Sequence, residues 1–104
     1  MQVIFKDKYL EDLYEGNPVK GKPKYSEDLL DKFAKKVQQI ENAASIKDLW
    51  GFRGLNFEAL KGNLQGLYSV RVDKKHRIIF SLEKDVVLVQ DIVIIEELSK
   101  HYES

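Results

Sequence analysis

The sequence predicts an α+β domain, and three observations carry that prediction. Apolar residues recur at helical spacing only in the first half, and from Asn56 onward the period changes to two. The segments of period two are joined by connections of three to five residues, which favour antiparallel neighbours. Helices followed by strands then give an antiparallel β-sheet with two N-terminal helices packed on one face. A chain of 104 residues, 43% hydrophobic and 33% charged, makes one domain over residues 1–104.

Each element has a local cause. Gln2 to Phe5 reads as a short first strand. Between Asp7 and Gly16, the residues Tyr9, Leu10, Leu13 and Tyr14 mark a helix that Gly16-Asn17-Pro18 stops. The connection from Asn17 to Tyr25 holds both prolines and Lys20, Lys22 and Lys24 on alternate positions, so it is not regular helix. Ser26 caps the next helix, Glu27 and Asp28 suit its positive end, and Leu29, Leu30, Phe33, Ala34, Val37 and Ile40 form its apolar stripe, ending near Ala43. Ser45 starts a further turn through Leu49. Strands follow at Asn56 to Lys61, Leu67 to Val72, His76 to Leu82 and Val86 to about Ile95, with the last turn at Glu83-Lys84-Asp85. Glu96 to Ser104 is either a helical turn or a loose tail. Trp50, Phe52 and Phe57 are expected in the core, and His76 at the edge of the core face.

Composition excludes several classes. No apolar run approaches the roughly 20 residues of a membrane span, and the first six residues lack a signal-peptide layout. A cytoplasmic protein without a membrane partner is the expectation. The absence of Cys removes disulfides, thiol nucleophiles and Cys-zinc sites, and two His leave no His-rich metal site. There is no Gly-rich phosphate loop, no His-Glu-x-x-His and no nucleophile elbow. No metal and no cofactor are therefore expected, although the abundant carboxylates single out no pair.

The net charge is zero, from 17 Lys and Arg against 17 Asp and Glu, and it conceals a pattern. Residues 50–81 carry six basic side chains (Arg53, Lys61, Arg71, Lys74, Lys75, Arg77) against Glu58 and Asp73. Residues 82–104 carry Lys84 and Lys100 against six acidic ones. The middle is +4 and the tail −4.

Cross-strand partners share a face, so turn length decides which residues meet. A two-residue loop at Lys74-Lys75 would mix polar and apolar faces. A three-residue loop, Asp73 to Lys75, pairs Val72 with His76, Val70 with Ile78 and Tyr68 with Phe80, and on the opposite face sets Arg71 beside Arg77. Like charges so placed cost up to about 1 kcal/mol unless an anion lies between them. With Gly62 to Gly66 as a five-residue loop, Lys61 joins that face, about 13 Å from Arg71 along the strand. The face is then either a phosphodiester groove or a solvated surface whose arginines pair with Glu58 or with acids of the tail. The Lys20, Lys22, Lys24 loop either touches RNA phosphate or merely keeps the chain soluble. In the tail, His101-Tyr102 is either incidental or an acid and base suited to proton transfer in RNA cleavage.

Read as a string, Leu60-Lys61-Gly62, Gly66-Leu67-Tyr68-Ser69-Val70-Arg71-Val72 and Arg77-Ile78-Ile79-Phe80 resemble the signature "LKG…G-hydrophobic-aromatic-S-x-R-V…WR-x-x-F" of the HigB-like toxins. These are plasmid-maintenance killer proteins within the RelE/ParE superfamily of type II toxin-antitoxin systems. Ala43-Ala44-Ser45-Ile46-Lys47-Asp48-Leu49 is similar to the family's "A-x-S-hydrophobic-x-D-L" stretch, and the resemblance extends over most of the chain.

The resemblance implies a RelE-like microbial RNase fold and a ribosome-dependent endoribonuclease that cleaves messenger RNA in the ribosomal A site and inhibits translation. The implied partners are the ribosome with its message and a cognate HigA-like helix-turn-helix antitoxin, through which the complex would bind operator DNA. Family positions fall on Lys61, Arg71 and Arg77, the last being the arginine assigned to the scissile phosphate, and Lys74 and Lys75 add to the RNA-binding set with Lys20, Lys22 and Lys24. Two departures stand out. Glu58 occupies the region before the LKG lysine where many relatives have His, and His101-Tyr102 stands where many end in Asp-Tyr-His. The implied chemistry is attack of a ribose 2′-OH on the adjacent phosphate, with Arg71 and Arg77 neutralising charge, Lys61 or His101 handling protons and Tyr102 assisting. A non-catalytic RelE-like interaction module is the alternative, and a plain structural domain a third.

Overall fold

In the computed structural model, which describes residues 1–100, the order is β1 (Gln2–Phe5), α1 (Lys8–Glu15), α2 (Glu27–Asn42), α3 (Ile46–Gly51), β2 (Glu58–Ala59), β3 (Tyr68–Arg71), β4 (His76–Asp85) and β5 (Gln90–Lys100). The five strands form one sheet in the order β1-β5-β4-β3-β2. The α+β class and the two N-terminal helices hold, with one departure: β1 runs parallel to β5, pairing Gln2 with Ile92 and Phe5 with Ile95, so the sheet is mixed. The remaining pairs are antiparallel.

The helix ends follow their expected chemistry. The Asp7 carboxylate accepts from the N–H groups of Tyr9 and Leu10 at the start of α1, and Gly16 closes it in the left-handed conformation. Ser26 accepts from Leu29 N–H at the start of α2. The stripe of α2 (Leu29, Phe33, Val37, Ile40) buries against Val70, Ile78, Phe80, Val93, Ile95 and Leu98 of the sheet. At roughly 1.5–3 kcal/mol per buried side chain, this contact is the main source of stability.

Two expectations about the last hairpin fail together. The turn is Val86 to Val89, not Glu83 to Asp85, and β5 continues through Lys100 instead of ending near Ile95. Pairing Asp85 with Gln90 sets Leu82 against Val93, Phe80 against Ile95 and Ile78 against Leu98, which fills the core face; a bulge between Ile79 and Phe80 absorbs the extra residue. The Asp85 carboxylate accepts from Val87 and Leu88 N–H and shapes the turn. Four aliphatic residues are therefore left at an exposed tip.

Val89 at that tip has φ +51°, a left-handed conformation that costs a β-branched residue about 1–2 kcal/mol. Val89→Asn, which tolerates this region, is expected to stabilise the fold by about 1 kcal/mol and raise the thermal midpoint by about 4–8 °C. A calorimetric scan showing no rise would mean that the turn carries no such strain.

The aromatic expectation is met only in part. Phe57 stacks among Tyr68 and Phe80 at centroid distances of 5.7 and 6.0 Å, but Trp50, which touches Phe57 at 5.0 Å, is 64% exposed and Phe52 is exposed too. The short α3 presents the indole ring outward. Among the described residues no helix is long and apolar enough to cross a membrane.

Candidate functional site

The sheet face opposite the helices carries the residues of interest in rows across the strands. The β3–β4 register is the one the three-residue turn requires: Arg71 opposite Arg77, Ser69 opposite Ile79, Val70 opposite Ile78 and Tyr68 opposite Phe80. Continuing each row, Ser99 stands opposite Arg77 and Glu97 opposite Ile79 on β5, and Glu58 opposite Ser69 on β2. His76 lies at the turn, half-buried, with Nδ1 3.0 Å from the Asp73 carboxylate. Burial pushes the Asp73 carboxyl up, yet the Lys75 and His76 N–H groups and the imidazole outweigh it and hold the group below its ordinary value.

Arg77 is the best-anchored polar side chain of the face. It is only 6% exposed, its Nε donates to Ser69 Oγ at 2.8 Å and its Nη2 donates to the Asn56 carbonyl at 2.7 Å. The Glu58 carboxylate lies 3.4 Å from Nη2 while remaining more than half exposed. Two hydrogen bonds from different elements fix the plane of the guanidinium, and Nη1 makes no hydrogen bond among the described residues, so its two N–H groups are donors for an anion. Burial pushes the Arg77 pKa below the usual guanidinium value, Glu58 opposes that shift and Arg71 adds to it. Arg71 itself is exposed and has no ion-pair partner among the described residues.

Other expected site residues distribute unevenly. Lys74 and Lys75 occupy the exposed turn next to Arg71 and Arg77. Lys20 and Lys22 are exposed, and Lys24 is held against α1, its N–H donating to Tyr9 Oη and its Nζ 4.8 Å from the Tyr9 ring centroid; only Tyr25, the next residue, reaches β5, donating to the Leu98 carbonyl. Lys61 does not join the arginines. Leu60 N–H donates to the Leu67 carbonyl, so the connection runs from Lys61 to Gly66, one residue longer than expected, and the register slips by one. Lys61 then lies past the end of β2, where it opens the next turn, about 17 Å from Arg71 by the rise of a strand. The slip puts Glu58 on the arginine face instead. Glu58 is thus a candidate functional residue, which the sequence offered only as a counter-ion to the arginines and as a departure from the His that many relatives carry before the LKG lysine. His101 and Tyr102 lie outside the described residues.

The acids of the tail do not hold the arginines among the described residues. Glu96 pairs with Lys6 at 3.1 Å and accepts from Ser81 Oγ, and the acid facing Arg77 is Glu58. A cavity of about 400 Å³ opens over Leu64, Leu67 and Ile79, and its lining includes Ser99, the strand partner of Arg77. No group of three His, Cys, Asp or Glu among the described residues is placed to hold a metal ion. The arrangement offers a fixed guanidinium, a second one opposite it without an ion-pair partner among the described residues, and an exposed carboxylate at ion-pair range, which suits binding a phosphodiester and removing a proton beside it.

The chain is similar to known proteins over most of its length. The family model described as the RelE-like toxin of the type II toxin-antitoxin system HigB matches residues 3–93. Toxin HigB-1 of Vibrio cholerae serotype O1 is 35% identical over 88 residues, 85% of this chain and 90% of that protein. Among solved structures, a YoeB/ParE toxin from Agrobacterium tumefaciens superposes with a TM-score of 0.61 at 18% identity, covering 98% of this chain and 100% of that one. A YoeB-YefM complex from Staphylococcus aureus gives 0.57 at 20% identity, covering 98% of both.

Proposed function

The chain belongs to the HigB-like RelE toxins of type II toxin-antitoxin systems, and on that premise we propose that it is an endoribonuclease that cleaves messenger RNA in the ribosomal A site. The observation that carries the proposal is the Arg77 guanidinium, oriented by Ser69 and Asn56 and set beside the exposed Glu58 carboxylate. In the proposed reaction Glu58 takes the proton of a ribose 2′-OH, and that oxygen attacks the adjacent phosphorus. The 5′-oxygen leaves, giving a 2′,3′-cyclic phosphate and a 5′-OH end. Arg77 and Arg71 stabilise the charge developing on the phosphoryl oxygens, a term that commonly supplies several kcal/mol. Return of a proton to the leaving oxygen is assigned to His101 or Tyr102, which follow the last described residue.

Lys74 and Lys75, in the turn next to the arginines, would follow the RNA backbone, with Lys20, Lys22 and Lys24 as further phosphate contacts. The zero net charge keeps affinity for free RNA low, so that cleavage depends on the ribosome to position the message. The proposed setting is the cytoplasm, with a cognate helix-turn-helix antitoxin as the neutralising partner and operator DNA bound through it. The YoeB-YefM complexes of Staphylococcus aureus are toxin-antitoxin assemblies on the same fold, which supports this arrangement.

Induced expression in bacteria followed by primer extension tests the proposal. Growth arrest accompanied by new message ends inside translated codons, both relieved by co-expression of the cognate antitoxin, is the expected outcome. Arrest with intact message would favour a non-catalytic toxin that binds RNA or protein through the same face.

A further inference from the structure

The turn that closes the β4–β5 hairpin goes against the chemistry of an exposed turn. Val86, Val87, Leu88 and Val89 stand 64–87% exposed in a row, and Val89 adopts a left-handed conformation that β-branched residues avoid. Asn, Asp or Gly would take these positions without strain. In a lone chain the four aliphatic side chains gain nothing from packing, so neither conformation nor burial accounts for them. An exposed apolar run of this kind marks a contact surface.

The surroundings of the tip indicate its partner. A groove of about 360 Å³ lies beside it, with Val86 and Val89 from the hairpin and Ala44 and Ser45 from the corner between α2 and α3 among its lining. Lys84 on β4 and Asp91 on β5 stand opposite each other at the rim, and neither makes an ion pair among the described residues. An apolar centre flanked by one charge of each sign is complementary to itself. A two-fold contact that brings β4 of one copy beside β5 of the other pairs Lys84 with Asp91 twice and sets apolar tip against apolar tip. A partner of a single charge sign would repel one of the two.

The area fits a weak dimer. At roughly 60–120 Å² for each aliphatic side chain, the four offer about 300 Å² of apolar surface. A standard interface buries about 800 Å² per partner, of which about 450 Å² is apolar, so the tip supplies about two thirds of that share.

We propose that the β4–β5 hairpin tip is a self-association surface through which two copies of this chain pair about a two-fold axis, burying Val86 to Val89 and matching Lys84 of each copy with Asp91 of the other. Burial then gives Val89 the packing that its strained backbone lacks in the monomer. Asp85 is eight residues from Arg77 along β4, about 26 Å by the rise of a strand, so the arginine edges of both copies remain open at the two ends of the dimer. The surface is separate from the ribonuclease site, and the proposal holds whether or not that reading does.

Sedimentation velocity of the full chain, from about 1 to 300 µM, tests it. The wild type is expected to pass from monomer to dimer with a dissociation constant of about 10–100 µM, and Leu88→Asp to remain monomeric with an unchanged circular dichroism spectrum. Lys84→Asp and Asp91→Lys should each weaken self-association about tenfold, whereas an equimolar mixture of the two variants should form a heterodimer about as tight as the wild-type dimer. That rescue cannot come from contacts within one chain, because each variant keeps its own like charges opposite each other. A wild type that stays monomeric would overturn the proposal and leave the tip to a different protein. A dimer that survives Leu88→Asp, or a mixture no tighter than either variant alone, would overturn it as well.

Discussion

Arg77→Ala is expected to abolish growth arrest and reduce message cleavage by about two to three orders of magnitude, the usual cost of losing one preorganised donor at a reacting oxyanion. The same change has a structural cost. Ser69 is fully buried, and without Arg77 Nε its hydroxyl loses its only described partner. An unsatisfied buried group costs about 1–3 kcal/mol, so the thermal midpoint should fall by about 10 °C. Two further variants separate chemistry from folding. Arg77→Lys keeps the charge but not the planar fork, and should stay about a hundredfold slow. Ser69→Ala removes the same hydrogen bond while leaving the guanidinium in place, and should show a comparable fall in midpoint but retain cleavage within about tenfold. Equal loss of cleavage in Ser69→Ala and Arg77→Ala would make Arg77 a structural residue.

Glu58→Gln should lower cleavage by about 10²–10⁴, the range attributed to a positioned general base. Its effect on stability should be small, because the carboxylate is more than half exposed and such pairs contribute at most about 1 kcal/mol. The geometry admits one competing role. Glu58 stands where an incoming phosphate would meet Arg77, so a carboxylate serving only as a cover would make Glu58→Gln faster. The direction of the change decides between base and cover.

Much of the fold was legible because its signals are local. Asp7, Gly16 and Ser26 act on hydrogen bonds within a few residues, and the alternation on both sides of Asp73-Lys74-Lys75 admits only one register that keeps the faces apart. That register put Arg71 beside Arg77, so the heart of the candidate site could be read directly. The parallel β1–β5 pair was not legible, because strands joined through most of the chain leave no local mark of their pairing. The final turn was misplaced because Val86-Val87-Leu88-Val89 has strand propensity and Glu83-Lys84-Asp85 has turn composition, while the long β4–β5 ladder overrides both. A loop one residue longer than assumed moved Lys61 off the arginine face and brought Glu58 onto it. Slips of one residue reverse every side chain in a strand, so catalytic assignments on strands depend on the length of each loop before them.

The charge split also takes on a different meaning. The positive segment does cluster, with Arg71, Arg77, Lys74 and Lys75 at one end of the sheet, whereas Glu83, Asp85 and Asp91 of the negative tail lie at the far end of the β4–β5 hairpin. Those three acids balance the sum from a distance, and among the described residues only Glu58 pairs with an arginine of the basic edge.

End analysis of message on programmed ribosomes tests the central claim most directly. Purified protein with an Arg77–Glu58 site acting as proposed should generate ribosome-dependent cuts bearing 2′,3′-cyclic phosphate and 5′-OH ends, and Arg77→Ala and Glu58→Gln should suppress them. Uncut message with the wild type, or equal cutting by wild type and both variants, would contradict it.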